Sequence, residues 1–160
     1  MARLRVVLVD TSVILRLIGV DGNDQAKEAA EEFDARQARG QRLVLTMTAL
    51  IEAGNHVARQ NTGRRRLAEQ LEKLIEDANR PETPWTLPEA VLDRQFVDDL
   101  LGGNSTGSDL VTLIGDGRLG TGDVAILVER DRFQKKTADA SVEVWTLDSE
   151  LAAHGKRRLS

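Results

Sequence analysis

Cysteine is absent from the 160 residues, so neither a disulfide nor a thiolate zinc site can form. That absence fits a reducing cytoplasm, which is the expected location. Aromatic residues make up only 3% of the chain, so aliphatic side chains must do most of the packing. Long hydrophobic runs are missing as well; no stretch approaches the roughly 18 apolar residues of a membrane span. The opening MARLRVVLVD holds a short apolar segment without a small-residue cleavage site, so it reads as a core strand and not as a signal peptide. An excess of positive charge is also lacking. The net charge is −4 and the pI near 5.3, which leaves no global basic field to draw in nucleic acid. A phosphate-binding function would then need local arginines or bound cations.

The chain is 41% hydrophobic and 30% charged, which suits one core in one domain spanning residues 1–160. Leu4–Val9 is short, β-branched and apolar, like a parallel strand buried on both faces. Asp10-Thr11-Ser12 offers capping side chains for a helix through Ile18. A second helix is expected from Asn23 to Arg39, stopped by Gly40, then a strand over Arg42–Met47 and a helix from Thr48 to about Gln60. A further helix follows to Ala78. Arg80–Leu87 holds two of the three prolines and is expected to be loop, with Pro88 opening a helix that carries Val91 and Phe96 and stops at Gly102-Gly103. Within 102–122, SDLVTLI fits either a strand or a helical turn. A helix over Asp123–Phe133, a buried strand over Val142–Leu147 and a short helix to Ala153 complete the chain. Strands alternating with helices imply an α/β fold with a mainly parallel sheet.

Ligands of such sheets sit beyond the carboxyl ends of the strands. Asp10 follows the first strand there and Asp148 the last; Glu52 lies in the first turns after the second, and Asp123 opens a helix out of a glycine loop. An aspartate at a strand end is commonly a cap or turn residue, and one at a helix start complements the dipole. Those uses must hold at all four positions to dispose of a site. Four carboxylates in one cleft repel one another and favour a bound cation. Mg²⁺ or Mn²⁺, with their preference for hard oxygen ligands, would supply the positive charge this acidic chain lacks.

These residues sit in VVLVDTSVIL (6–15), TALIEAGNHV (48–57), GDVAILVERDRF (122–133) and VWTLDSEL (144–151). In order and over nearly the whole chain, the segments resemble the motifs of PIN-domain ribonucleases, a family that includes the toxin half of VapBC toxin–antitoxin modules. The resemblance implies a PIN-like doubly wound sheet flanked by helices, and hydrolysis of single-stranded RNA by metal-activated water. Asp10, Asp123 and Asp148 would be the principal metal ligands, and Glu52 a ligand or a water-orienting base. Thr11, Ser12, Asn55 and Thr146 would support ligands or substrate. It also implies an RNA substrate, an antitoxin protein and a homodimer as partners, and no membrane. For the hydroxyls and Asn55, local capping is an equal alternative.

Other signals are weaker. Gly115–Gly120 matches the dinucleotide pattern GxGxxG, but Thr121-Gly122 delays the helix and puts the Asp123 carboxylate where a pyrophosphate would sit. Gly103–Gly107 matches the nucleophile pattern GxSxG, but a helix and not a strand precedes it. His56 lies four residues after Glu52, yet with only His56 and His154 present a zinc cluster is not expected. Arg64-Arg65-Arg66, Lys135-Lys136 and Lys156-Arg157-Arg158 are candidate phosphate contacts whose ordinary use is a solvated face. Trp85 and Trp145 are expected to pack. Two alternatives to the nuclease remain: a PIN-like module that binds RNA or protein without cutting, and a nucleotide-binding protein using Gly115–Gly120.

Overall fold

A computed structural model describes residues 3–89 and 92–155. Strands β1 (Leu4–Val9), β2 (Arg42–Leu45), β3 (Trp85–Thr86) and β4 (Ala140–Trp145) form one sheet in the order β3-β2-β1-β4, with every pairing parallel. The helices are α1 (Thr11–Ile18), α2 (Asn23–Ala38), α3 (Met47–Ala58), α4 (Arg64–Ala78), α5 (Arg94–Gly102), α6 (Leu110–Gly115), α7 (Thr121–Lys136) and α8 (Ser149–Gly155). The α/β class with a parallel sheet flanked by helices is therefore as expected.

The β1 sequence explains its central place. Val7 and Val9 point into a core shared with Val13, Ile14, Ala49 and Leu67, whereas Val6 and Leu8 point to the opposite face with Val44 and Ala140. A strand buried on both faces cannot alternate apolar with polar, and this one does not. Burying each such valine or leucine contributes roughly 1.5–3 kcal/mol. A third cluster, Leu113, Leu119, Val124, Leu127 and Leu151, packs α6, α7 and α8 together.

Several boundaries differ from the sequence reading. The segment 80–87 is not all loop: Trp85 and Thr86 pair with Leu43 and Val44 as a two-residue edge strand. Proline before an edge strand is no obstacle, because its missing N–H lies outside the ladder; the Pro84 carbonyl instead accepts from Leu43 N at 3.4 Å. Helix α5 starts at Arg94 and not at Pro88, since the Asp93 side chain caps it by accepting from Phe96 N at 2.8 Å. Val91, expected on that helix, lies outside the described residues. Strand β2 stops at Leu45 because Thr46 caps α3, its Oγ1 accepting from Ala49 N at 3.2 Å. SDLVTLI takes the helical alternative, as α6 capped by Asp109. Helix α7 begins two residues before Asp123, and β4 covers 140–145 and not 142–147.

The strand order positions the site. From β1 the chain winds outward through β2 to β3, then returns to place β4 on the other side of β1. The winding direction reverses between β1 and β4, and the crevice beyond the carboxyl ends of two such strands is the favoured ligand position. Asp10 and Thr146 are the residues that leave those two strands. Among the described residues no helix is long and apolar enough to cross a membrane.

Candidate metal centre

Asp10 is fixed from three directions. Its backbone N–H donates to Trp145 O at 2.9 Å, prolonging the β1–β4 ladder by one step. Its side chain is the N-cap of α1, and Ser12 Oγ and Thr146 Oγ1 each donate to its Oδ2 at 2.7 Å. The same two hydroxyls accept backbone N–H groups from the β4–α8 turn, Leu147 N on Ser12 Oγ and Asp148 N on Thr146 Oγ1, both at 3.0 Å. Asp10 is only 3% exposed, so this web also satisfies a buried carboxylate.

The other three acids are held by their own local structure. Glu52 stands on α3 and accepts from Thr11 Oγ1 at 2.9 Å on Oε2. Asp123 lies in the first turn of α7, where its Oδ2 takes the Gly120 N–H at 3.0 Å. Asp148 Oδ1 accepts from Glu150 N at 2.9 Å and Leu151 N at 3.2 Å at the start of α8. A common pattern results. In all four residues the hydrogen bonds fall on one oxygen, and among the described residues the other oxygen, Oδ1 of Asp10 and Asp123, Oε1 of Glu52 and Oδ2 of Asp148, accepts none.

Electrostatics tie the four together. Burial pushes the Asp123 carboxyl above its ordinary value; the Gly120 N–H pulls it down, and the charges of Asp10, Asp148 and Glu52 push it up further. Glu52 also packs directly against Gly122, one residue before Asp123. Among the described residues, however, no three acidic or histidine side chains close on one point as they stand. Asp10, Glu52 and Asp148 act on Asp123 through their charge, and the four carboxylates do not share a single centre.

No protein-family model matches the chain, and no curated protein matches it.

The remaining expected residues divide. Thr11, Ser12 and Thr146 are joined to the acids by hydrogen bonds. Asn55 is exposed and makes no hydrogen bond to the cluster among the described residues, and His56 is exposed beside it. Gly115 ends α6 and Gly120 precedes α7, whose Gly120 N–H is already taken by Asp123; a pyrophosphate would have to displace that carboxylate. Gly103–Gly107 is a turn after α5 in which Ser105 is buried, so no strand presents it as a nucleophile. Arg64, Arg65 and Arg66 are exposed at the start of α4, Lys135 and Lys136 at the end of α7, and Lys156-Arg157-Arg158 lies outside the described residues. Trp85 packs on Phe33 with ring centres 5.1 Å apart, and Trp145 carries the Arg36 guanidinium at 4.7 Å.

The donor set suits a hard divalent cation. It consists of carboxylate oxygens, one untied on each residue, and the Asp123 charge is penalised by its neighbours, a penalty that a cation would remove. Sequence reasoning passed over Glu129, which lies in the run that follows Asp123 on α7. Burial pushes its carboxyl up to about 7, against a lowering contact from the Thr48 hydroxyl. The available signal was a lone acid directly after the apolar run Val124–Val128.

Proposed function

We propose that this chain is a Mg²⁺- or Mn²⁺-dependent ribonuclease of the PIN type, hydrolysing phosphodiester bonds of single-stranded RNA. The observation that carries the reading is that Asp123, whose carboxyl is raised first by burial, is raised further by the charges of Asp10, Asp148 and Glu52 from three distant segments, Asp10 lying at the reversal point of the sheet. The fold's finer character as PIN-like belongs to the same proposal, as do the toxin role, antitoxin and homodimer that the resemblance implies.

A divalent ion bound here would polarise the phosphodiester and lower the pKa of a coordinated water. Asp10, Asp123 and Asp148 would hold that ion through their untied oxygens. Ser12 and Thr146 keep Asp10 in one orientation, so little side-chain freedom is lost on binding. Glu52, steadied by Thr11, would hold the ion or orient a water and take up its proton. The scissile phosphate, itself an anion, would approach a crevice whose negative charge the ion has offset.

The separation of the carboxylates, no three of which close on one point among the described residues, favours one other reading: a PIN-like module that binds RNA or protein without cutting. One assay separates the two. Labelled single-stranded RNA incubated with Mn²⁺ should be cut by the wild type and left intact by Asp10→Asn. Intact RNA with both proteins, or equal cutting by both, would remove the nuclease reading.

A further inference from the structure

Helix α4 carries its charges the wrong way round for an isolated helix. Arg64, Arg65 and Arg66 fill a first turn that has no acidic residue, and Glu76 and Asp77 stand in a last turn that has no basic one. The helix dipole favours the opposite arrangement, acids at the N-terminus and bases at the C-terminus. Gly63, in the N-cap position, offers no side-chain hydrogen bond to offset this. Beside these charges, α3 and α4 bound an open groove of about 660 Å³. Arg64 and Arg65 line it towards the start of α4, and Glu72 and Glu76 towards the end. Arg66 lies off this face, with its guanidinium beside Gly19.

These groove charges are available to a partner. Arg64, Glu72 and Glu76 make no ion pair among the described residues, and Arg65 meets Glu69 at 3.8 Å with both side chains exposed. A surface pair of that kind contributes little. Between the charged ends, Gly54 and Ala58 of α3 and Ala68 of α4 extend no further than a β-carbon, which lets a second helix come close. Ile51, 54% exposed, shares the α3 face of Gly54 and Ala58 and continues the apolar surface. The two glutamates would repel a phosphate backbone, so the groove is a poor track for RNA.

We propose that this groove is where two copies of the chain meet, across a two-fold axis that sets their α4 helices antiparallel. A patch that is positive at one end and negative at the other is complementary to itself when inverted, as an isologous contact requires. With the axis level with position 70, Arg64 of one copy comes level with Glu76 of the partner subunit, and Glu76 with the partner's Arg64. Glu76 follows Arg64 by twelve residues, about 18 Å along the helix axis, so the two pairs brace opposite ends of the contact. The reversed charges also gain a purpose. Each set of arginines then lies beside the negative end of the partner's helix dipole. This face is separate from the metal centre, and the proposal does not rest on the ribonuclease reading.

The test is sedimentation velocity of the full chain at low salt, from about 1 to 100 μM. The expected result is a dimer that forms over this range and dissociates at about 1 M salt, where charges are screened. Arg64→Glu with Arg65→Glu should weaken it about tenfold or more, and so should Glu72→Arg with Glu76→Arg. Both reversals suit the helix dipole better than the wild type does, so loss of the dimer would not be loss of the helix; thermal melts check this. An equimolar mixture of the two variants should restore the dimer, because each level pair then joins opposite charges. A wild type that stays monomeric, a variant that dimerises as well as the wild type, or a mixture that stays monomeric would overturn the interface. A monomeric wild type whose RNA binding is lost with the two arginines would give this face to RNA instead. Cleavage is read separately: a dimer that does not cut RNA counts against the nuclease alone, and a monomer that cuts counts against the interface alone.

Discussion

The Glu52 carboxylate lies against Gly122 so closely that a β-carbon on residue 122 would overlap it. Residue 122 must be small because an acid from another helix uses the space. The contact couples α3 to the first turn of α7, the turn that also carries Asp123. Gly122→Ala should therefore move Glu52 while leaving the fold intact. The displaced atoms are the far end of a flexible side chain, and alanine favours the helix, so stability should change by less than about 1 kcal/mol. Cleavage should fall about 100-fold, as small misplacements of catalytic groups can cause. Denaturant unfolding and RNA cleavage, measured together, check the pair; a large loss of stability or full activity would contradict it.

Thr146→Val should cost stability and activity at once. The hydroxyl donates to Asp10 Oδ2 and accepts from Asp148 N, so valine, of similar shape, leaves both without that partner. A loss of about 1–3 kcal/mol in urea unfolding is expected, with weaker cation binding because Asp10 and Asp148 are both loosened. An unchanged midpoint would show that the hydroxyl is ornamental.

Asp123→Asn should stabilise the protein when divalent cations are removed. Burial and three like charges disfavour the ionised form of Asp123 in the fold, and asparagine can still accept the Gly120 N–H. Its folded pKa lies above the ordinary 3.8, so the stability due to the bound proton is complete below that value and is lost as pH rises through the folded value. The melting temperature of the variant should exceed that of the wild type by a few degrees at pH 8, and the gap should close near pH 4. Millimolar Mn²⁺ should then raise the wild-type melting temperature and not that of the variant.

Glu129 provides the second pH signature. Its carboxyl is raised from 4.5 to about 7, so the folded protein holds this proton more tightly than the unfolded chain. Its stabilising effect is complete below pH 4.5 and fades as pH rises through about 7, by at most roughly 3 kcal/mol. Glu129→Gln should remove that slope and be the more stable protein at pH 8. Parallel stability profiles for the two proteins would refute the assignment.

Much of the centre was legible because it lies where chain direction changes. An aspartate after an apolar strand, or a carboxylate early in the helix that follows one, is visible without coordinates: Asp10 and Asp148 follow strands, Asp123 lies in the first turn of α7, and Glu52 lies in the second turn of α3. Ser12 and Thr146 were legible as neighbours of those acids, although their shared grip on Asp10 Oδ2 was not. Asn55, three residues after Glu52 on α3, is exposed and makes no hydrogen bond to the acids among the described residues. Strand β3 escaped notice because two residues show no period, and it exists through pairing with β2. The start of α5 escaped because Pro88 is a good first residue, whereas Asp93 has both a cap and the Arg132 guanidinium to hold it. Glu129 left only a weak trace, a lone acid after the apolar run Val124–Val128. Its burial depends on β1, β2, α3 and α5 converging beside one face of α7.

The account stands on one cation joining oxygens from distant parts of the chain. A crystal grown with Mn²⁺ and measured at the manganese absorption edge tests this directly. The predicted result is an anomalous peak between Asp10, Asp123 and Asp148 with Glu52 bordering it, lost in Asp10→Asn. No peak there in the wild type, with all four side chains in place, would contradict it.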